Sequence, residues 1–309
     1  MKFTLKQLRY FDAALRTGSI ARAAEEMHIS QSSITAALDL IEQSLGADLF
    51  RRIPAKGIVA TRMGTEVGAR VAGFLEQARV FESDLMSLAG DPTGTLRLAC
   101  YAPTAPYVLP PILKRLAQYY PDIRIDLMEG DMAQISERLT NGTVDVALTY
   151  GTLTPQSQPF HPLFGAYPWV LLPSDWPEAQ RASVDLRDIA DRPMVLLDLP
   201  GTEPYFRSLF EAQGLRPNVV HSTKSSSVLR GLVAGQFGYS ILNICGPNDR
   251  DGRTGYTARP MAGDPEAPAF GVAYAAPLKQ SAMVQAMLSI GQNLTAEGGF
   301  DHLLMGPDR

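Results

Sequence analysis

The chain of 309 residues is too long for one small core and predicts two or three domains. Hydrophobic residues make up 45% of it, but no run of about eighteen apolar residues occurs, which excludes an ordinary membrane-spanning helix. Two cysteines exclude a disulfide framework, and the start of the chain lacks the apolar stretch of a secretory signal, so we expect a cytoplasmic protein.

The net charge of −4 is unevenly distributed along the chain. Residues 1–64 carry nine Lys and Arg against six Asp and Glu, a net charge of +3, whereas the remainder carries −7. A basic head on an acidic body is typical of a modular DNA-binding protein. Because +3 is a small charge, we expect the affinity for DNA to depend on dimerisation.

Apolar side chains at three- and four-residue spacing indicate the first helices. Positions 5, 8, 11 and 15 predict a helix that ends at Gly18. A second helix follows with Ser19 as its N-cap, and a third begins at Ser30 or Gln31 and ends at Gly46. Two helices joined by so short a turn form a helix-turn-helix, whose second helix can enter the major groove. The residues expected to read bases or bind phosphate there are Gln31, Ser32, Ser33 and Thr35.

Residues 49–60 predict a β-hairpin with Pro54 and Gly57 in its turn, which makes the head a winged helix-turn-helix. Positive charges on or beside this wing are placed to meet phosphates or a minor groove, although ordinary solvated surface charges are the alternative. Positions 36–39 of the third helix carry no basic residue, so we predict reliance on the wing and on DNA shape rather than on direct guanine readout. The wing residues concerned are Arg51, Arg52, Lys56 and Arg62.

Residues 64–88 predict one long helix. Apolar residues recur on it at alternating spacings of four and three, the pattern of a coiled-coil seam. The alternative is a helix that packs on the core of its own domain; we favour the seam because the helix lies between two predicted domains. A turn-rich boundary follows at 89–94. The seam consists of Val67, Val71, Phe74, Ala78, Phe81, Leu85 and Leu88.

From residue 95 onward, strands and helices alternate, which predicts parallel sheets with helices on both faces, in two Rossmann-like α/β subdomains. Pro110 and Pro111 are expected in the first turn of a helix over 107–119. Ligands of such sheets bind beyond the carboxyl ends of the strands. Hydroxyls and helix N-terminal amides there could hold an anion without a buried Arg, although capping and turn roles are the alternative. The candidate ligand-binding residues are Tyr101, Thr104, Gly130, Asp131, Thr149, Thr202, Tyr205, Ser226 and Asn243.

Several motifs, in order and at their spacing, resemble the DNA-binding domain of LysR-type transcriptional regulators. They are the small residues Ala21, Ala23 and Ala24, and the segments SQSSIT (30–35), IEQSLG (41–46), LFRR (49–52) and TRMG (61–64). The resemblance covers the whole chain and is closer before residue 90. It implies a winged helix-turn-helix domain at 1–63, a dimerisation helix at 64–90, and an effector domain at 91–309 similar to a type 2 periplasmic binding protein. The first subdomain is expected at 91–163 and 269–309, and the second at 164–268.

The resemblance implies a regulator that binds double-stranded DNA as a dimer or tetramer, with RNA polymerase as a further possible partner. Its effector, a small organic acid or aromatic, is expected between the subdomains. The alternative is a small-molecule-binding module without sequence-specific DNA binding. The four His residues are isolated and no nucleophile or phosphate-loop motif occurs, so we expect no enzyme, metal or cofactor. Cys100 and Cys245 follow strand ends, where a redox pair and two buried small hydrophobes are alternatives.

Overall fold

The computed structural model of the chain describes residues 2–53, 57–87, 92–154 and 158–306, with the backbone alone at 80, 83, 84, 86, 87, 153 and 277. The chain divides into two compact units, Met1–Leu85 and Met86–Arg309. Within the described ranges, none of the helices combines the length and the apolar character that a membrane crossing requires.

The N-terminal unit begins with three helices where the sequence predicts them: α1 (Leu5–Thr17), α2 (Ile20–Glu26) and α3 (Gln31–Leu45). The hydroxyls of Ser19 and Ser30 begin α2 and α3 by accepting a backbone N–H of the first turn. Gly18 and Gly46 end α1 and α3 with φ values of 63° and 65°, a left-handed conformation that glycine adopts without steric cost. The inward faces of the three helices meet around the fully buried Phe11.

A hairpin and a long helix complete this unit: β1 (Phe50–Ile53), β2 (Gly57–Ala60) and α4 (Arg62–Ser87). The strands are antiparallel, which confirms the predicted hairpin. The sequence predicted Gly57 in the turn. Gly57 instead pairs with Ile53 and begins β2. Pro54 lies outside the described residues.

The helix α4 begins two residues earlier than predicted and first packs on the core of its own unit. A Cβ atom at Gly64 would lie 2.0 Å from the carbonyl oxygen of Leu49, so the absence of a side chain permits this close approach. Val71 is buried in the core of the unit, and Val67 packs against that core.

The described residues of the C-terminal unit form three sheets. The first and largest comprises β3 (Gly94–Tyr101), β4 (Ile123–Gly130), β5 (Val146–Tyr150), β6 (Phe160–Gly165) and β12 (Ala269–Tyr274). Their order is β4-β3-β5-β12-β6. β3 is parallel to β4 and β5, whereas β12 is antiparallel to both of its neighbours. The predicted parallel pairing holds for β3, β4 and β5, but the sheet is mixed, because β12 returns from the second subdomain at the end of the sheet where β6 leaves it.

Two smaller sheets, of three and two strands, are built from β7 (Trp169–Pro173), β8 (Pro193–Leu197), β9 (Asn218–Thr223), β10 (Ser240–Leu242) and β11 (Tyr256–Pro260). β7 lies antiparallel between β10 and β11, and β8 is parallel to β9. A parallel bridge between Met194 and Tyr239 connects the two groups. Local sequence patterns predict neither β11 nor β6 of the first sheet. Pro162 is tolerated within β6 because β6 is an edge strand.

The helices that cover these sheets are α5 (Ala105–Tyr119), α6 (Met132–Thr140), the unpredicted short α7 (Leu186–Ile189), α8 (Thr202–Glu211), α9 (Ser226–Ala234) and α10 (Ala282–Ala296). The helix α5 begins two residues earlier than predicted. Pro110 and Pro111 therefore lie inside the helix, beyond its first turn, which corrects the expectation for them. The helix continues through both prolines because its apolar face, including Val108, Ile112 and Leu116, is buried.

Two connections link the subdomains of the C-terminal unit and lie side by side. β6 still belongs to the first sheet, so the chain leaves the first subdomain after Gly165, slightly later than the expected boundary at 163/164. The backbone N–H of Ala166 on the outward connection donates to the carbonyl oxygen of Pro268 on the return connection at 3.0 Å. This paired crossing, called the hinge below, is where the chain passes between the two subdomains.

Candidate functional site

The first turn of α3 presents polar side chains at the surface of the N-terminal unit. Gln31, Ser32 and Ser33 are exposed and Thr35 is half-buried. Ser30 Oγ lies 2.8 Å from Ser32 Oγ and 2.9 Å from Ser33 Oγ, so these hydroxyls form a local network. The Gln31 side chain has no hydrogen-bond partner among the described residues. It is therefore free to reach a base edge.

The turn before α3 contains no glycine, and one of its residues adopts a left-handed backbone. His28 has a φ of 52° and is exposed. The backbone N–H groups of His28 and Ile29 donate to Glu25 and Ala24, respectively, which holds the turn in place. The angle between α2 and α3 is thus set by one strained residue together with backbone hydrogen bonds.

The wing places two adjacent arginines on one exposed strand, Arg51 and Arg52 of β1. Arg52 lies 3.8 Å from the carboxylate of Asp39 on α3, and Arg62 lies 3.2 Å from Glu66. Among the described residues Arg51 has no ion-pair partner, and Lys56 lies outside them. Of the described wing arginines, Arg51 is therefore the one whose charge no ion pair occupies.

A glutamate attaches the wing to α3. Glu42 Oε1 accepts the backbone N–H groups of Leu49 at 2.6 Å and of Phe50 at 3.0 Å. Because the carboxylate holds both amides, α3 and β1 keep a fixed relation. The wing is therefore attached to the C-terminal half of α3.

The predicted seam on α4 divides into two parts. Val67 and Val71 pack in the core of the N-terminal unit, as the alternative interpretation expects. Ala78 is half-buried, whereas Phe74, Phe81 and Leu85 are exposed by 39%, 64% and 49%. Leu88 lies outside the described residues. The far half of the helix thus presents an apolar face that its own unit does not cover.

A cleft between the two subdomains of the C-terminal unit brings several of the predicted residues together. The volume that the centres of water-sized molecules can occupy is about 40 Å³, room for only a few waters, so the walls lie close together. Of the predicted residues, those that line the cleft are Tyr101, Thr104, Thr202, Tyr205 and Asn243. Further lining residues that sequence reasoning missed are Pro103, Met132, Tyr150, Thr152, Leu197, Gly201, Phe206, Arg230, Leu242, Ile244 and Pro268.

One hydrogen bond joins the two walls of this cleft. The hydroxyl of Tyr101, at the end of β3, lies 2.7 Å from that of Thr202, at the start of α8. Both residues are buried. Burial raises the pKa of Tyr101 to about 12, although the Thr202 hydrogen bond opposes the shift, so this phenol is neutral at pH 7.

A buried ion pair lies behind the cleft. Arg230 of α9 donates from Nε and Nη2 to the two carboxylate oxygens of Asp249, both at 2.8 Å. The two residues are exposed by only 8% and 2%. Burial lowers the pKa of Arg230, yet the Asp249 carboxylate raises it above its usual value, so Arg230 stays protonated. The local sequence patterns did not indicate this buried Arg at the cleft.

An asparagine connects the cleft to the hinge. Asn243 Nδ2 donates to the carbonyl oxygen of Ala166 at 2.8 Å and to the Tyr205 hydroxyl at 3.2 Å. That hydroxyl in turn donates to the carbonyl oxygen of Glu266 at 2.9 Å. Residues that line the cleft therefore hold the outward and the return connection together.

Four predicted residues lie elsewhere. Asp131 caps α6 by accepting the backbone N–H of Gln134, and Gly130 ends β4. Thr149 is buried in the first sheet, and Ser226 begins α9, where its carbonyl oxygen accepts from Arg230. For these positions the structure shows the capping and packing roles that were the alternative to ligand contact.

The two cysteines are free thiols and both are buried. Burial is the main cause of a raised pKa in both thiols. It raises the pKa of Cys100 far above its usual range and the pKa of Cys245 to about 11. Thiols of this kind are poor nucleophiles at neutral pH. Within the described part of the chain, no three His, Cys, Asp or Glu residues are grouped as a metal site would require.

Comparisons with known families match both units. Residues 5–65 match the family model described as "Bacterial regulatory helix-turn-helix protein, lysR family". Residues 89–293 match the one described as "LysR substrate binding domain". These matches favour a DNA-binding regulator with an effector-binding domain over a ligand-binding module alone.

Individual relatives span most of the chain. The HTH-type transcriptional activator CmpR of Synechocystis is 29% identical over 248 residues, 78% of this chain and 79% of the relative. The crystal structure of HinK, a LysR family transcriptional regulator from Pseudomonas aeruginosa, is 27% identical with a TM-score of 0.63, covering 95% of this chain and 99% of HinK. Full-length OxyR from Pseudomonas aeruginosa has a TM-score of 0.73 at 22% identity, over 94% and 97% of the two chains, and shows the fold alone.

Proposed function

Because the chain belongs to the LysR family of DNA-binding transcriptional regulators, we propose that it binds its operator as a homodimer, and as a tetramer through its effector domains. The dimer forms through the exposed apolar face of α4. A two-fold dimer requires two inverted half-sites, spaced by about one helical turn, roughly 34–36 Å, or a multiple of it. Such a protein works in the cytoplasm, where it can reach DNA and RNA polymerase.

The observation that carries this proposal is the attachment of the wing to α3, whose first turn exposes polar side chains. Gln31, Ser32 and Ser33 are exposed on α3, and Arg51 lies on a strand that Glu42 fixes to the same helix. Polar groups at the start of a recognition helix suit base edges, and a neighbouring arginine suits the backbone phosphates. We assign Thr35, Arg52, Lys56 and Arg62 supporting roles at this surface.

The effector, a small organic acid or aromatic, binds in the cleft between the subdomains. Its entry separates walls that the Tyr101–Thr202 hydrogen bond holds together. The resulting rotation about the hinge changes the spacing or bend of the bound DNA. An effector can do this only if it binds the two arrangements with different affinities.

The test is a gel shift with the full chain and the DNA upstream of its own gene, against an excess of bulk competitor DNA. We expect a specific complex that weakens steeply as salt rises. A Gln31→Ala variant should lose preference for the upstream DNA while it keeps nonspecific binding. Equal binding to upstream and bulk DNA by the unaltered protein would contradict the proposal.

A further inference from the structure

We propose that the C-terminal unit carries a second binding site, separate from the cleft, that takes a small dianionic oxyanion such as a phosphate monoester or sulfate. The site, called the arginine pocket below, is an open concavity of about 540 Å³ lined by Arg181, Arg250 and Arg259. It shares no lining residue with the cleft. No acidic side chain is among the described residues that line it.

Hydrogen bonds join the three segments that carry these arginines. Thr257 Oγ1 on β11 donates to the carbonyl oxygen of Arg250 at 3.2 Å. The backbone N–H of Val184, three residues after Arg181, donates to the carbonyl oxygen of Pro260 on the same strand at 3.0 Å. The three guanidinium groups therefore come from neighbouring segments of one subdomain.

Neutral acceptors hold the guanidinium group of Arg250 in place. Its Nη2 donates to the carbonyl oxygens of His302 at 3.3 Å and of Leu304 at 2.6 Å, and its Nε lies 3.4 Å from Cys245 Sγ. Within the described ranges, Arg250 forms no ion pair and its Nη1 has no hydrogen-bond partner. The group is thus fixed while its charge stays uncompensated.

Arg259 shows the same arrangement on β11. It is half-buried, and its Nη1 donates to Thr257 Oγ1 at 2.9 Å and to the carbonyl oxygen of Ala258 at 2.8 Å. No carboxylate in the described part of the chain pairs with it. Arg181 pairs with the exposed Asp188. Three arginines against this one aspartate give the pocket a net charge of +2.

The other arginines of this subdomain that hydrogen bonds hold in place pair with carboxylates. These pairs are Arg187–Asp185, Arg192–Glu178, Arg207–Glu203 and Arg230–Asp249. Arg250 and Arg259 differ, because carbonyl and hydroxyl oxygens orient them without neutralising them. Like charges that are fixed side by side repel each other, and a bound anion would turn that repulsion into attraction.

The charge and the donors of the pocket indicate the class of ligand. A phosphate monoester carries about −1.5 to −2 charges at pH 7, which matches the charge of the pocket. Guanidinium N–H groups suit phosphate oxygens, and donors from three segments suit a tetrahedral group better than a planar carboxylate of charge −1. Pro260 and Met305 also line the pocket and offer apolar surface to the organic part of an ester.

The experiment is calorimetric titration of the full chain at pH 8 and constant ionic strength with phenyl phosphate, benzenesulfonate and sulfate. Phenyl phosphate and benzenesulfonate both join a ring to a tetrahedral oxyanion, but benzenesulfonate carries a single charge. We expect one phenyl phosphate per chain, bound at least about tenfold more tightly than benzenesulfonate. Sulfate that binds as tightly as phenyl phosphate would identify a free oxyanion as the ligand, and weaker binding of sulfate would identify an ester.

Two variants assign the binding to this pocket by shifts of opposite sign. Arg259→Gln removes one charge and should weaken phenyl phosphate by at least about tenfold. Asp188→Asn keeps all three arginines but removes the counter-ion of Arg181, so it should tighten binding by about threefold. Arg253→Gln, at an exposed position outside the lining, is the matched control and should leave the affinity unchanged.

Equal affinity for phenyl phosphate and benzenesulfonate, or an affinity that Arg259→Gln or Asp188→Asn leaves unchanged, would overturn the proposal. Asp308→Asn should also have no effect, and tighter binding by that variant would contradict the proposal by showing that a carboxylate of the chain itself competes for the pocket. The titration contains no DNA and the pocket is separate from the cleft, so its outcome is independent of the operator-binding experiment.

Discussion

Tyr101 and Thr202 connect the two subdomains through one buried hydrogen bond of 2.7 Å. A bond of this kind contributes about 1 kcal/mol to stability. In a double-mutant cycle of Tyr101→Phe and Thr202→Val, measured by urea unfolding, we therefore expect a coupling energy of about 1 kcal/mol. The cycle of Tyr101→Phe with Thr152→Val, another lining residue, should be additive. Additivity of the first cycle would show that the bond does not hold the cleft closed.

His28 carries local strain in the helix-turn-helix. Its φ of 52° costs about 1 kcal/mol for a residue with a Cβ, and glycine is free of that cost. His28→Gly should therefore be more stable than His28→Ala by up to about 0.5 kcal/mol, after the entropy of glycine in the unfolded chain is subtracted from the relieved strain. His28→Ala removes the same ring but keeps the strain and serves as the control. A melting temperature for the Gly variant at or below that of the Ala variant would refute this account of the turn.

Cys245 and Cys100 should be inert in the native protein. With a pKa of about 11, about one Cys245 thiol in a thousand is ionised at pH 8. The thiolate fraction rises only as the pH approaches that pKa, and burial still restricts access. A chromogenic disulfide reagent should thus label neither thiol at pH 8 and both in urea. Rapid labelling of the folded chain would instead support the alternative that Cys100 and Cys245 form a redox pair.

At the scale of elements, β1 and α3 differ in how much charge they offer to DNA. Arg51 has no ion-pair partner among the described residues, whereas Arg52 lies near Asp39. Arg51→Ala should reduce operator affinity and lower the salt slope by about 0.9, the value for one phosphate contact. Lys224→Ala removes a positive charge from the C-terminal unit and should leave the slope unchanged. Fluorescence anisotropy across a salt series measures both, and an unchanged slope for Arg51→Ala would count against the wing contact.

Asp39 places a negative charge on the exposed face of α3, and a guanidinium nitrogen of Arg52 lies 3.8 Å from its carboxylate. Asp39→Asn should therefore raise the affinity for all DNA, specific or not, because it removes repulsion from phosphates. The same anisotropy assay tests this prediction. Weaker binding by the variant would mean that Asp39 reads a base directly.

The helix α4 has an apolar face that its own unit leaves exposed. Phe81 is exposed by 64% and Leu85 by 49%, which is unfavourable for a helix that remains alone in water. Phe81→Glu should convert the dimer into a monomer, as measured by light scattering after size-exclusion chromatography. Ala69→Glu, which adds the same charge at an exposed position on another face of this helix, is the control. A Phe81→Glu variant that stays dimeric would place the interface elsewhere.

Local rules explain which parts of the fold the sequence predicted. Ser19, Ser30, Gly18 and Gly46 mark helix ends by chemistry that acts within one turn, and the structure confirms those helix ends. β6 and β11 are stabilised by strands far away in sequence, so local patterns did not reveal them.

The candidate cleft shows the same division between local and distant interactions. Tyr101, Thr202 and Asn243 follow strand ends, which places them correctly from topology alone. The Arg230–Asp249 pair depends on two side chains nineteen residues apart that meet only in the folded chain. Its signal in the sequence was a single Arg within an otherwise apolar helix.

For the whole molecule, regulation by an effector requires two arrangements of the effector domain, to which the effector binds with different affinities. The centres of water-sized molecules can occupy only about 40 Å³ of the cleft, so we expect an effector of ordinary size to widen it about the hinge. Moving an equilibrium from 1:99 to 99:1 takes a ratio of affinities of about 10⁴ between the two states. The double-mutant cycle measures the part of that difference that the Tyr101–Thr202 bond supplies.

The most direct test of the central claim is a hydroxyl-radical footprint of the full chain on the DNA upstream of its own gene. We predict two protected half-sites of inverted sequence, with centres about one helical turn or a whole multiple apart, because two copies of α3 enter the major groove on one face of the duplex. Protection that is uniform along the fragment, or that requires no particular sequence, would contradict the account.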